Sequence, residues 1–141
     1  MSCLYAISSN LFNSSSLYNS PVKTTYNYEV GSNSSSTIYS AKIGLAYVSD
    51  YGFAASPSYW TTNLSSFDNA VNNNWMHLGS YEWTISRVSS NSNTVLFVNS
   101  GGSVGYNSVH YSFAVRPSFY LISSTQYVSG SGTSSDPIRI N

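Results

Sequence analysis

The feature that most constrains the fold is an alternation of apolar and polar residues through the second half of the chain. Tyr81, Trp83 and Ile85 alternate with Glu82, Thr84 and Ser86, and Val95 alternates with Phe97. Val109, Tyr111, Phe113 and Val115 form the cleanest run, opposite His110, Ser112, Ala114 and Arg116. A period of two sends the two sets to opposite faces of a strand. The pattern therefore predicts an antiparallel sheet with its apolar sets turned inward. "NSGG", Asn99 to Gly102, supplies residues that tolerate positive φ in a hairpin turn. Pro117 has no N–H to give to a ladder and marks a strand edge or a bend. The closing "SGSGTSSDPIRIN" predicts a Gly/Ser loop and a short terminal strand, Ile138 to Ile140.

The first half reads differently. "TTYNYEV", Thr24 to Val30, places Tyr26, Tyr28 and Val30 on one face of a half-buried strand, and Gly31 to Ser36 is a loop. A strand from Thr37 follows, with Ile43, Leu45 and Tyr47 sharing a face. Ser49 can cap a short helix through Asp50, Tyr51 and Phe53, where Asp50 in the first turn suits the helix dipole. Pro57 lies just past the expected end of that helix. Leu64, Phe67 and Val71 are spaced for a second short helix, which Asn72, Asn73 and Asn74 should break. Residues 1–25, rich in Ser and Asn, read as a poorly ordered lead-in with at most one short strand. That leaves 26–141 as a single domain of the α+β class.

Composition decides what such a domain is for. A chain of 141 residues supports one core. Aromatic residues make up 16% and the net charge is zero, which argues against disorder. Only 7% of residues are charged, against about 25% in a typical domain. Five scattered basic residues make no field for a nucleic acid or an anionic membrane surface. No apolar run is long enough to span a bilayer. The opening "MSCLYAISSNLFNSSS" lacks the basic and apolar regions of a secretory signal, so the chain is either cytoplasmic or a piece of a longer protein. The single Cys3 cannot form an internal disulfide, and no Cys/His cluster has zinc spacing.

Catalytic motifs are missing: there is no G-x-S-x-G elbow, phosphate loop, dinucleotide fingerprint or metalloprotease helix. His77 and His110, the two imidazoles, read as ordinary hydrogen-bonded residues. Asp68 and Glu82 flank "NNNW". With His77 they offer the poorest of three functional readings, a small hydrolase; with the Asn carbonyls they offer an oxygen-rich calcium site. Asn as a turn former is the plainer account, and no cofactor is called for. What remains is a surface of Tyr, Ser, Gly and Asn, with 13 Tyr in all. Binding loops favour these residues because Tyr offers amphipathic contact area at small entropic cost. The contact candidates are Tyr59, Trp60, Asn91, Tyr106 and Asn107.

Six segments in order, "AKIGLAYVSDYGFA", "NNNWM", "YEWTISR", "VLFVNSGGSV", "YSFAVRPSFYL" and "SGSGTSSDPIRI", resemble a family of Gram-positive surface domains of gut Firmicutes. Those domains often follow a pilin-like helix or bacterial Ig-like repeats. More distantly, the progression through a Trp-containing strand and a "VNSGGSV" hairpin to "VRP" resembles C-type-lectin-like domains, the group that includes the formylglycine-generating enzyme fold. The resemblance implies a C-type-lectin-like architecture and a location outside the cell or on its surface. It also implies a structural Arg116 paired with a buried acid or carbonyl groups, and core positions for Trp83 and Val115. Relatives carry cysteines near "TTNL" and "NNDW"; this chain has none there, and Asn74 stands in place of the Asp, which weakens calcium further. Without catalytic cysteines the enzymes' activity does not carry over. The expected function is a non-enzymatic, adhesin-like module for a glycan or protein ligand. The alternative is a pilin-like or cell-wall stalk subunit that self-associates, which near-zero net charge permits.

Overall fold

The structure, a computed structural model, describes residues 3–8, 19–29, 36–41, 43–88, 91–119, 121 and 123–141. Strands β1 (Cys3–Ser8) and β2 (Ser36–Ala41) pair antiparallel, with helix α1 (Val22–Glu29) between them in sequence. β3 (Gly44–Leu45) leads into helix α2 (Val48–Phe53), a 3-10 turn at Pro57–Tyr59 and a longer 3-10 segment at Leu64–Asn73. β4 (Glu82–Arg87), β5 (Thr94–Val98), β6 (Val104–Ser108) and β7 (Ala114–Val115) make the main sheet, in the order β6-β5-β4-β7. β7 runs parallel to β4, and the other pairs are antiparallel. β8 (Pro117–Ser118) pairs with β3, and β9 (Tyr127–Ser129) pairs with β10 (Arg139–Ile140).

The core lies between the main sheet and the helical segments, with Val22, Val48, Leu64, Phe67 and Leu96 fully buried. Leu64, Phe67 and Ala70 face inward at every third position, the repeat of a 3-10 helix. α1 and α2 approach closely because Gly52 has no side chain: a Cβ there would sit 2.7 Å from both Val22 methyls. The β5–β6 hairpin closes through Asn99, whose Oδ1 accepts the N–H groups of Gly101 and Ser103 at 2.8 and 3.1 Å. Gly102 has φ +93°, and a Cβ there would run into Val71 of the 3-10 segment. Its carbonyl accepts the Tyr51 hydroxyl at 2.8 Å. Gly102→Ala combines backbone strain with a clash, so it is expected to cost about 2 kcal/mol of unfolding free energy. A urea denaturation series that found a loss under about 0.5 kcal/mol would show that the hairpin tip is not docked on Val71.

β4 turns its polar face inward. Glu82, Thr84 and Ser86 are buried, while Tyr81 is exposed and Trp83 and Ile85 are half-buried. Each inward polar group has a partner. Glu82 binds Arg116, the Thr84 hydroxyl donates to the Leu96 carbonyl at 2.8 Å, and the Ser86 hydroxyl donates to Glu29. The register slips between Trp83 and Arg87, and within that stretch the Ile85 N–H donates to the Ala46 carbonyl at 3.0 Å. On the outer face the Trp83 and Phe113 rings pack with centres 4.5 Å apart and planes tilted by 31°, and Phe97 lies 5.0 Å from Phe113. The alternation is real, but its apolar set builds this outer cluster.

Several other expectations are corrected. Thr24–Glu29 belongs to a helix: Val22, Thr25 and Glu29 point inward at three- and four-residue spacing, and Tyr26 and Tyr28 stay exposed. Val30 lies outside the described residues, as does the expected loop at Gly31–Ser36 apart from Ser36, which opens β2. The 25/26 boundary cuts through α1, and the lead-in's Val22 is part of the core. Ser49 does not cap α2. Tyr47 holds the N-cap position, and its N–H donates to Asp50 Oδ2 at 2.9 Å. Ile43, Leu45 and Tyr47 do not share a face: Ile43 is exposed, Tyr47 is buried and β3 covers only two residues. The run at 109–115 is mostly turn, since the Tyr111 N–H returns to the Ser108 carbonyl at 3.2 Å and only Ala114 and Val115 are extended. Val115, assigned to the core by resemblance, is exposed. The hairpin at Asn99–Gly102 and the helical segment ending in the Asn run stand as expected, the terminal strand is shorter than expected at Arg139–Ile140 without Ile138, and the chain is α+β.

A candidate binding groove beside helix α1

Helical spacing brings Lys23, Tyr26 and Asn27 onto one exposed face of α1. Across from them stand Phe53 at the end of α2 and Pro57, Trp60 and Thr61 from the 3-10 turn and its exit. Together these seven residues line a groove of about 490 Å³. Its aromatic wall is ordered by edge-to-face contacts: Tyr26 meets Phe53 at 5.7 Å and 75°, and Phe53 meets Trp60 at 5.0 Å and 88°. Trp60 Nε1 donates to the Ala55 carbonyl at 2.9 Å, which fixes the indole plane before any ligand arrives. Tyr26 is 43% exposed and presents ring surface to solvent. Among the described residues, the Lys23 ammonium, the Asn27 amide and the Thr61 hydroxyl have no side-chain partner.

Phe53 also borders a second hollow of about 320 Å³, which it lines with Asp50, Trp75, Met76 and Phe119 among others. Trp75 is 80% exposed. Burial raises the Asp50 carboxyl from its ordinary value, and the hydrogen bond from the Tyr47 N–H opposes that shift.

Of the contact candidates read from sequence, Trp60 is in the groove. Tyr59, beside it, is half-buried against the core, with its hydroxyl 3.4 Å from Asn73 Nδ2. Asn91, Tyr106 and Asn107 belong to the main sheet and its loops and line neither hollow. Tyr106 is exposed on β6 opposite Leu96. Asn107 Oδ1 accepts the Ser108 N–H at 2.8 Å, and Asn91 Oδ1 accepts the Asn93 N–H at 2.9 Å. The candidates therefore form two separate groups. Sequence reading missed Lys23, Tyr26 and Asn27, because a strand reading pairs Tyr26 with Tyr28; their three- and four-residue spacing was the available signal.

The calcium reading loses its ligands. Asn74 is buried, with Nδ2 donating to the Tyr51 carbonyl at 2.9 Å and Oδ1 accepting the Met76 N–H at 3.0 Å. Both oxygens of Glu82 hold Arg116, at 2.7 and 2.8 Å. Asp68 is exposed, 3.4 Å from the Ser103 hydroxyl, and His77 Nε2 lies 3.2 Å from the Ser100 carbonyl. Among the described residues no group of three His, Cys, Asp or Glu side chains gathers to hold a metal. No helix among them is long and apolar enough to cross a membrane. Comparison of the chain with family models, curated proteins and solved structures finds no match.

Proposed function

We propose that this protein is a non-enzymatic, adhesin-like binding module that takes a glycan in the groove between α1 and Pro57–Thr61. The carrying observation is one groove with three aromatic rings braced in series through Phe53 and three polar groups that have no side-chain partner among the described residues. Its size lies within the range of about 300–1,000 Å³ typical of ligand sites, and its lining has their usual mix of aromatic wall and few polar groups. The C–H face of a sugar ring suits the aromatic wall, and its hydroxyls suit Asn27 and Thr61. The lining offers contact groups and no carboxylate or imidazole to move a proton. We read the architecture as C-type-lectin-like, supported by the Trp-containing strand in a sheet packed on helices and by the Arg116–Glu82 pair. Display outside the cell or on its surface belongs to the same reading.

A glycan panel tests it. Tyr26→Ala and Trp60→Ala are each expected to weaken a bound glycan at least about tenfold, as aromatic anchors do. Tyr26→Ala is the cleaner variant because its ring is exposed. Binding that survives both changes would remove the groove from the function. A folded sample that binds no glycan, and instead sediments as an oligomer, would favour the second reading, a self-associating pilin-like or stalk subunit. That reading draws on the exposed Trp75 and Phe119 side chains around one hollow.

A further inference from the structure

We infer that the groove selects an anionic sugar, with the ring on the aromatic wall and its carboxylate or sulfate against Lys23. This rests on the glycan reading above and adds the chemical class of the ligand. Arg116 pairs with Glu82 and Arg139 with Asp136, whereas Lys23 has no ion-pair partner among the described residues. The other six lining residues, Tyr26, Asn27, Phe53, Pro57, Trp60 and Thr61, are uncharged, so nothing within the groove neutralises the ammonium. In a chain with only five basic side chains, a cation beside an aromatic wall sets the sign of the site.

Local structure adds to that sign. Lys23 lies in the first turn of α1, which contains no acidic residue. Helix N-termini carry partial positive charge and ordinarily attract acids, so the groove mouth is more positive than the lysine alone would make it. Aromatic rings by themselves would also welcome a quaternary ammonium ligand, but the Lys23 charge repels one. A neutral sugar would use the rings and the amide and leave the ammonium without a counter-charge. An anionic sugar engages the rings and the amide and also neutralises the ammonium.

The test compares matched sugars by calorimetric titration of the intact chain: sialyllactose against lactose, a glucuronate disaccharide against its glucose counterpart, and a sulfated sugar against its unsulfated parent. The acidic member of at least one pair is expected to bind at least about tenfold tighter, a margin of about 1.4 kcal/mol. Lys23→Met should reduce that preference to about twofold or less by weakening the acidic member far more than its neutral counterpart, with the same unfolding midpoint. Raising the salt concentration should weaken the acidic member alone. Equal affinities within every pair, or a preference that persists in Lys23→Met, would overturn the inference. If neutral sugars bind and Tyr26→Ala abolishes that binding without any acidic preference, the groove reading stands and the charge inference falls. If no sugar binds, both fall. The pair that responds separates carboxylate from sulfate.

Discussion

Replacing Arg116 with alanine is expected to cost about 3 kcal/mol of folding stability, because one guanidinium satisfies three acceptors at once. Its Nε and NH2 groups hold the two Glu82 oxygens, and NH2 also reaches the Met76 carbonyl. Glu82 is 6% exposed. Removing the arginine leaves a carboxylate in the sheet interior with neither water nor counter-charge, and this residual group, more than the lost attraction, sets the magnitude. The Arg116 side chain is 24% exposed, which places the cost at the lower end for buried pairs. Arg116→Lys keeps the charge but has a single donor head that cannot span both oxygens and the carbonyl. It should fall between wild type and alanine. Glu82→Leu combined with Arg116→Met removes both charges and should lose less than Arg116→Ala alone. Urea unfolding of the four proteins checks the order. A loss below about 1 kcal/mol for Arg116→Ala would place the pair among weak surface bridges.

The parts of this fold that were legible in the sequence depend on local backbone demands. "NSGG" closes a hairpin because Asn99 can bond two N–H groups and Gly102 can adopt positive φ, and neither needs a distant partner. Leu64 and Phe67 announced a helical turn for the same reason. The faces of β4 were not legible. Hydrophobic alternation says that two faces differ, but it does not say which one is buried when every polar residue has a partner elsewhere. Ser86 turns inward toward Glu29, 57 residues away in sequence, and Glu82 toward Arg116, 34 away. The aromatic set then finds its own burial with Phe113, which a strand reading had placed in a different ladder. The site divided along the same line. Trp60 could be found as an aromatic in a loop, whereas Lys23 and Asn27 become neighbours only once the segment is helical.

Folding stability is expected to fall by about 3 kcal/mol as pH rises from about 4.5 to about 7, and Glu29→Gln is expected to remove most of that dependence. Glu29 is 4% exposed at the junction of α1, α2 and β4. Its carboxylate accepts the Ser49 N–H at 3.1 Å and the Ser86 hydroxyl, and Ser86 Oγ in turn accepts the Val48 N–H at 3.0 Å. Burial pushes its pKa up to about 7; the Ser49 and Ser86 hydrogen bonds oppose the rise without cancelling it, and the nearby Asp50 charge adds to it. In the unfolded chain the same group titrates near 4.5. Between those values the unfolded state has released a proton that the folded state keeps, so each pH unit favours unfolding by about 1.4 kcal/mol. The contribution is fully present below about 4.5 and is lost once pH passes about 7. Asp50 is shifted in the same direction by burial and should leave a small residual slope in the variant. Glutamine keeps the shape and can still bond Ser49 and Ser86 without ever becoming charged. The two proteins should therefore match near pH 4, and the variant should be the more stable at pH 8. Guanidinium chloride unfolding at pH 4, 6 and 8 decides it. Parallel curves for the two proteins would mean that Glu29 titrates in the folded state as it does in the unfolded chain, its bonds to Ser49 and Ser86 offsetting its burial.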